Sequence, residues 1–486
     1  MLGAVDTAWT VIKWVAGFLL HGGVAVAILL GQKRQPTATL AWLLTVLFLP
    51  FGGILLYLVI GRTRSKLIVR RSKKAAAKVD AIMGPSNGFD EKSFSSEPRT
   101  CDLLALGKGL GIVSASRYNQ VEMLVDGPAT YRALFDAIEA AQRQVHVEFY
   151  IIQPDGAGQA LRDRLVAAAR RGVEVRLLYD DVGSKGLSSR FWDPLTAVGG
   201  RVAAFNHVSI FTQGLRRRDR VDFRNHRKNV IIDGRIGFTG GINIGREYLG
   251  LDPEVGRWRD THMRVVGPAA LGLQRVFALD WNSMVDERID FDVWFPNPGR
   301  EGGDDSIVQI VDSGPDSEWS AVEQITYGAI NSARQRAWLA TPYFVPSPAI
   351  EFALISAALR GVDVQILLPE KADSLVVGLA SRSYFGPLLQ AGVKLHLYRR
   401  GFMHAKTLVV DDWMGTVGSA NMDMRSFRLN FELNAFIYDT KLACDLAAQF
   451  MRDVAHARPF TRTHEQNIRL PRRFAQQAAR LLSPLL

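Results

Sequence analysis

Two apolar runs open the chain. Trp14 to Gln32 and Gln35 to Gly61 contain no Asp, Glu, Lys or Arg, and as helices each can cross about 30 Å of hydrocarbon. Only Lys33-Arg34 separates them, so the pattern predicts a two-helix membrane hairpin. Pro50-Phe-Gly-Gly53 is placed to kink the second run or make it re-entrant. A cleaved signal peptide does not fit, because a second apolar run follows instead of a small-residue cleavage site and soluble sequence. Past about residue 100 the periodicity changes. Helical patterns over Tyr131 to Gln142 and Ala321 to Ala333 precede apolar strands at Val145 to Ile152 and Trp338 to Tyr343. That alternation predicts an α/β protein of two halves, each with a central mixed sheet. Lys228 to Asp233 and Thr407 to Asp411 are rich in Val, Ile and Leu and run into Asp233-Gly234 and Asp411-Asp412, so both read as β-hairpins.

The halves repeat each other. ARRGVEVRLL at Ala169 to Leu178 matches ALRGVDVQIL at Ala358 to Leu367, and VEFYIIQPD at Val147 to Asp155 corresponds loosely to LATPYFVP at Leu339 to Pro346. Most telling, NHRKNVIIDGRIGFTGGIN at Asn225 to Asn243 returns as MHAKTLVVDDWMGTVGSAN at Met403 to Asn421. Each copy holds His-x-Lys, then Asp seven residues after the His, Gly seven after the Asp and Asn three after that. With ordinary residue frequencies one such match arises by chance about once in ten thousand trials. Two copies are a duplication. Extra residues before the first motif fall in Val208 to Arg224, where Arg216, Arg217, Arg218, Asp219 and Arg220 read as a solvated loop or a cluster for anionic headgroups.

Residues two apart on a strand share a face, so His226 points with Lys228 and His404 with Lys406. A turn between Gly234 and Arg235 sets Asn243 opposite His226, and one between Asp412 and Trp413 sets Asn421 opposite His404. Asp233 and Asp411 belong to the motif and to the candidate catalytic set. Seven strand residues nevertheless carry them about 23 Å from the His, which suits holding the turn by hydrogen bonds. A neutral imidazole can attack phosphorus, a second can release an alcohol, and Lys with Asn can hold phosphate oxygens.

Charge narrows the partner. A net charge of +11 and a pI near 9.7 in 486 residues suggest nucleic acid or an acidic membrane surface, and the apolar runs favour the membrane. Arg62, Arg64, Lys66, Arg70, Arg71, Lys73 and Lys74 outnumber the two charges in the turn, placing the rest of the chain on the cytoplasmic side. Cys101 and Cys444 lack metal-ligand spacing, and no cluster suggests a metal or other cofactor.

The paired motifs, with Gly240 and Asn243 in one and Gly418 and Asn421 in the other, resemble the signature of the phospholipase D superfamily. The apolar hairpin, WRDTH at Trp258 to His262, TPYFVP at Thr341 to Pro346 and the ending LLSPLL resemble, more narrowly, bacterial cardiolipin synthases. This resemblance implies two pseudo-symmetric phospholipase-D-like halves whose His-x-Lys pairs face one pocket. It also implies a supporting carboxylate for each catalytic imidazole, for which Asp260 and Glu432 are the candidates; spacing alone equally allows surface acids. The implied reaction moves a phosphatidyl group between two phosphatidylglycerols through a phosphohistidine, His226 attacking and His404 serving as acid and base, to give cardiolipin and glycerol at the bacterial inner membrane. The same site could serve a phospholipase D with water as acceptor, or a membrane-tethered nuclease; a dead scaffold is disfavoured because neither copy has lost a motif residue. The expected layout is a membrane hairpin and basic flank at 1–74, a linker at 75–100, halves at 101–296 and 305–470, and an amphipathic tail at 471–486, whose apolar positions Phe474, Ala478, Leu481 and Leu482 favour packing on the domain over a second membrane contact. Phosphatidylglycerol and anionic lipid are the expected partners, nucleic acid is not, and oligomeric state leaves no signal.

Overall fold

The computed structural model describes residues 2–30, 36–57, 66–83, 95–112, 115–205, 223–251, 256–285, 287, 290–296 and 305–486. The Lys33-Arg34 turn, Arg62, Arg64, the arginine cluster at 216–220 and most of the boundary between the halves lie outside these.

The described residues up to 70 form one compact unit. Its helices are Leu2–Leu29, Pro36–Phe48 and Pro50–Leu56, and the second apolar run breaks at Leu49, with Pro50 starting the new helix. Ile28, Val46, Ile54 and Tyr57 make a small core. Gly53 permits the close fold-back, since a Cβ there would lie 2.4 Å from the Thr45 carbonyl oxygen. Most other large apolar side chains described here are exposed, among them Leu20, Leu30, Leu47 and Phe51. Among the described residues no helix is long and apolar enough to cross a membrane, so the two spanning helices expected from the apolar runs do not emerge.

The second unit holds residues 71–209 and 223–486, organised on a mixed sheet of sixteen strands. In the first half the order is Arg201–Phe205, Glu174–Asp180, Gln144–Phe149, Lys228–Ile232, Ile236–Gly240, Thr261–Val266 and Ala115–Val125. The second half repeats it with Lys394–Tyr398, Asp363–Pro369, Arg336–Ala340, Thr407–Val410, Met414–Gly418, Asn430–Tyr438 and Ser306–Ser313, plus Ala457–Phe460 on the edge. The two innermost strands pair antiparallel, Ala115 opposite Gln309, and join the half-sheets. Local detail repeats too. Helices Gly156–Arg170 and Pro348–Leu359 both turn into their strands through a glycine, Gly172 and Gly361, each at φ +89°.

Three expectations change. The helix Lys66–Met83 runs through the junction placed at residue 74, its alanines carrying it as far as Gly84-Pro85. The helix Pro98–Gly109, assigned by sequence to the first half, packs Leu103 and Leu104 into the core of the second. The tail helix Leu470–Arg480 docks through Gln476 and Ala479 and leaves Phe474 and Leu481 exposed, the reverse of the face the pattern predicts.

Candidate active site

Each motif hairpin closes one residue earlier than the sequence suggests. Ile232 pairs with Ile236 and Val410 with Met414, leaving three-residue loops whose first residue is Asp233 (φ +53°) or Asp411 (φ +50°). Asp tolerates this left-handed conformation better than most side chains, and using it moves the register by one. The predicted pairings of His226 with Asn243 and of His404 with Asn421 are therefore wrong; strand pairing stops before either His.

The two Asp residues act at the turn. Asp233 accepts hydrogen bonds from the backbone N–H of Gln142, Arg143 and Gln144 at 2.8 to 3.0 Å. Asp411 accepts those of Gln335 and Arg336 at 2.7 and 2.9 Å, and pairs with Arg99 at 2.6 Å. Both tie the hairpin to the start of the neighbouring strand. Their place in the candidate catalytic set is not supported by this geometry.

The histidines are positioned across the halves. Arg224–Asn225 pairs parallel with the start of Asn430–Tyr438, the His226 N–H donates to the Phe431 carbonyl at 2.9 Å, and His226 Nδ1 then meets Glu432 Oε2 at 3.0 Å. Phe402–Met403 pairs in the same way with Trp258–Arg259. The His404 N–H donates to the Arg259 carbonyl at 2.8 Å, and His404 Nδ1 meets Asp260 Oδ2 at 2.6 Å. Each half thus supplies the carboxylate for the other half's imidazole. With Nδ1–H committed to a carboxylate, Nε2 carries the lone pair and has no bonding partner among the described residues.

Two buried lysines complete the centre. Lys228 Nζ donates to the His226 carbonyl at 2.6 Å, and Lys406 Nζ donates likewise to the His404 carbonyl. Burial lowers Lys228 to about 7 and Lys406 to about 8. Burial also lowers His226 to about 4 and His404 to about 3, so both rings are neutral near pH 7. Each ring is further depressed by the other half's lysine, which sets both motifs around one site. Burial opposes ionisation of Asp260 and Glu432, but the first is outweighed by Lys406 and His404 and the second by His226 and Lys228, so both stay below the usual carboxylate range.

The asparagines differ. Asn243 is spent within the protein, accepting from Ile151 N–H at 3.2 Å and donating to Tyr248 Oη at 2.7 Å. Asn421 is buried and its Oδ1 has no partner among the described residues. The motif glycines permit close approach. At Gly240 (φ +156°) a Cβ would lie 2.6 Å from His262 Cα, and at Gly418 one would lie 2.2 Å from the Asn434 side chain. Sequence reasoning missed Arg227, which lies inside the first motif, ion-pairs with Asp280 and donates from Nε to the Glu432 carbonyl at 3.1 Å. Its counterpart is Ala405, so the duplication itself gave no sign of it.

The family model described as cardiolipin synthase, PLD-like domain matches residues 134–281 and 327–454, one stretch per half, and a phospholipase D-nuclease N-terminal model matches 23–62. A cardiolipin synthase of Geobacillus thermodenitrificans is 41% identical over 94% of this chain and 90% of its own length. The chain belongs to the cardiolipin synthase family of the phospholipase D superfamily. Another member, the major cardiolipin synthase of Bacillus subtilis, is 38% identical over 96% of this chain and 98% of its own. Family membership makes the chain a phosphatidyltransferase and associates it with the membrane; the hydrolase reading is not favoured. The crystal structure of a phosphatidylserine synthase from Haemophilus influenzae shares the fold, with a TM-score of 0.55 at 16% identity over 76% of this chain and 95% of that one.

Proposed function

We propose that the chain transfers a phosphatidyl group from one phosphatidylglycerol to another, and that the crossed His–carboxylate pairs carry the chemistry. His226 Nε2 attacks phosphorus, forming an N–P bond as the P–O bond to glycerol breaks. His404 gives its proton to the departing glycerol oxygen. The hydroxyl of a second phosphatidylglycerol then loses its proton to His404 and attacks phosphorus, the N–P bond breaks, and cardiolipin leaves. Lys228 and Lys406, with Asn421, would hold the non-bridging oxygens. A phosphodiester anion between the lysines brings an opposite charge to a dry site and raises His404 enough to carry a proton. The observation that bears most weight is the pair of Nε2 lone pairs without a partner among the described residues, each set by a carboxylate on Nδ1.

Membrane attachment through the exposed apolar side chains of the N-terminal helices, with basic Arg71, Lys73 and Lys74 marking the cytoplasmic side, fits a lipid substrate. The test is to incubate purified protein with labelled phosphatidylglycerol vesicles and identify products. Cardiolipin with glycerol is expected; phosphatidic acid as the main lipid would make the enzyme a hydrolase.

A further inference from the structure

The helix Leu470–Arg480 is inverted for a helix that packs on a protein. Its buried face carries Gln476 and Ala479, while Leu470, Phe474 and Leu481, spaced four and seven apart and so on one stripe, are 79%, 75% and 81% exposed. The helix Leu375–Arg382 lies beside it and exposes Leu375 at 78%. Pro348–Leu359, apolar but for Glu351 and Ser356, is tied to Leu470–Arg480 by Glu351 and Arg480 at 3.4 Å and leaves Phe352 exposed. These three helices and the residues just after them hold eight of the fourteen exposed large hydrophobics described outside the N-terminal unit, too many in one place for scattered surface residues.

The charge around this patch is mainly basic. From Arg469 to Leu486 there are four arginines and no acid, and Arg469, Arg472 and Arg473 are exposed. Arg472 also lines a cavity of about 160 Å³ next to Leu375, together with Ser374, Ser381, Arg382 and Glu370. Burial lowers Arg382 to about 10, and the neighbouring Arg458 and Arg472 lower it further than Glu370 can offset. An anion would relieve that repulsion.

We propose that this face of the second half is an interfacial docking site for an anionic lipid bilayer, with Leu470, Phe474 and Leu481 entering the acyl region and the arginines on headgroup phosphates. Apolar side chains beside arginines that outnumber the neighbouring acids Glu351, Glu370 and Glu465 are the composition an anionic membrane surface takes. A protein partner would need matching acidic groups, whereas a second copy of this chain would set arginine against arginine. This contact is independent of the N-terminal helices.

The experiment uses the full chain with Cys101→Ser and Cys444→Ser, carrying an environment-sensitive fluorophore at Phe474→Cys. It is reconstituted in vesicles of phosphatidylcholine alone or mixed with phosphatidylglycerol. With phosphatidylglycerol the label should shift to the blue and be quenched by lipids brominated on their acyl chains, and Arg472→Glu with Arg473→Glu should abolish both effects. A label at exposed Lys441→Cys should stay aqueous. A Phe474 label that stays aqueous in both vesicles overturns the proposal. So does shielding that follows protein density instead of anionic lipid, which would mean a second copy covers the face. A second arm rests on the proposed transfer reaction: Phe474→Ser with Leu481→Ser should raise KM on vesicles about tenfold while sparing kcat, a loss of binding of the size two apolar anchors supply. Because fluorescence needs no turnover, failure of the docking site and failure of the transfer reading give different results.

Discussion

The two half-sites obey one plan and fill it differently. His226 rests on Glu432, whose Oε2 also accepts from Ser419 Oγ at 2.5 Å and whose Oε1 accepts from Asn430 at 3.0 Å. His404 rests on the shorter Asp260, held by the Thr261 N–H at 2.7 Å. Where the second motif has Ser419 the first has Gly241, and a Cβ there would lie 2.2 Å from Asp260 Oδ1. A long carboxylate with a serine clamp and a short one with a glycine are thus two solutions to the same placement. Surroundings differ as well. Trp258, Tyr248 and Phe402 pack around the His404 ring with centroids 5.0, 6.0 and 5.8 Å away, whereas among the described residues His226 meets one aromatic ring, Tyr150, at 4.9 Å. A duplicated site with unequal halves suits a reaction in which one imidazole becomes covalently bound and the other moves protons.

The strongest way to break the comparison is to remove each imidazole. His226→Ala and His404→Ala should each lower transfer by about 10⁴-fold or more, with the double variant little worse, because nucleophile and proton carrier act as a unit. Their intermediates should differ. The proposed order has His404→Ala able to form phosphatidyl-histidine and His226→Ala unable to; covalent lipid found in His226→Ala would reverse the roles.

Next in size are the crossed carboxylates. Glu432→Gln and Asp260→Asn keep shape but lose the acceptor charge that fixes each tautomer, so each should cost about 10³-fold in kcat with little change in KM. Each variant should reproduce the defect of the other half's histidine: Glu432→Gln the trapping behaviour of His226→Ala, and Asp260→Asn that of His404→Ala. The opposite correspondence would mean the carboxylates serve their own halves.

That exchange was the part of the site least legible in the sequence. The motif spacing, both strand patterns and the duplication could all be read from residues, because a two-residue period and a matched repeat are local signals. Asp260 and Glu432 were visible as acids on the following strand. Which imidazole each one meets depends on two short parallel pairings between halves nearly two hundred residues apart, and no local periodicity encodes those. The hairpin register failed for a smaller reason, one left-handed Asp per turn. The tail's apolar periodicity does not mark its contact face, which is made by Gln476 and Ala479.

Ionisation offers a finer contrast. In the free enzyme both rings are neutral above about pH 4, while the depressed lysines lose their protons as pH rises through about 7 at Lys228 and about 8 at Lys406. Since the charged amines hold phosphate, kcat/KM should fall on the alkaline side across that window. Lys228→Arg keeps its charge and should move the limb up to the Lys406 value, about 8. The alkaline limb of kcat should lie higher than that of kcat/KM, because bound phosphate raises the lysines. An unmoved limb in Lys228→Arg would assign it to another group.

The smallest effects on chemistry belong to the turn aspartates, and here the halves should differ in stability. Asp233 receives three backbone N–H donors and Asp411 receives the equivalent donors plus Arg99 at 2.6 Å. Asn in either place keeps one acceptor oxygen but turns an amide donor towards other donors, a loss of about 1 kcal/mol per hydrogen bond. Asp411→Asn also takes one of the two carboxylate partners from the half-buried Arg99, leaving it Glu97 at 2.7 Å, and should therefore lower Tm more than Asp233→Asn. Neither should change kcat per folded molecule by more than about twofold, an effect under 0.5 kcal/mol, because both carboxylates are occupied at the turn, about 23 Å of strand from the imidazoles. If Asp233→Asn kept its Tm and lost turnover as completely as His226→Ala, the assignment of these residues to the hairpin alone would fail and the Asp would have to reach the reacting phosphate.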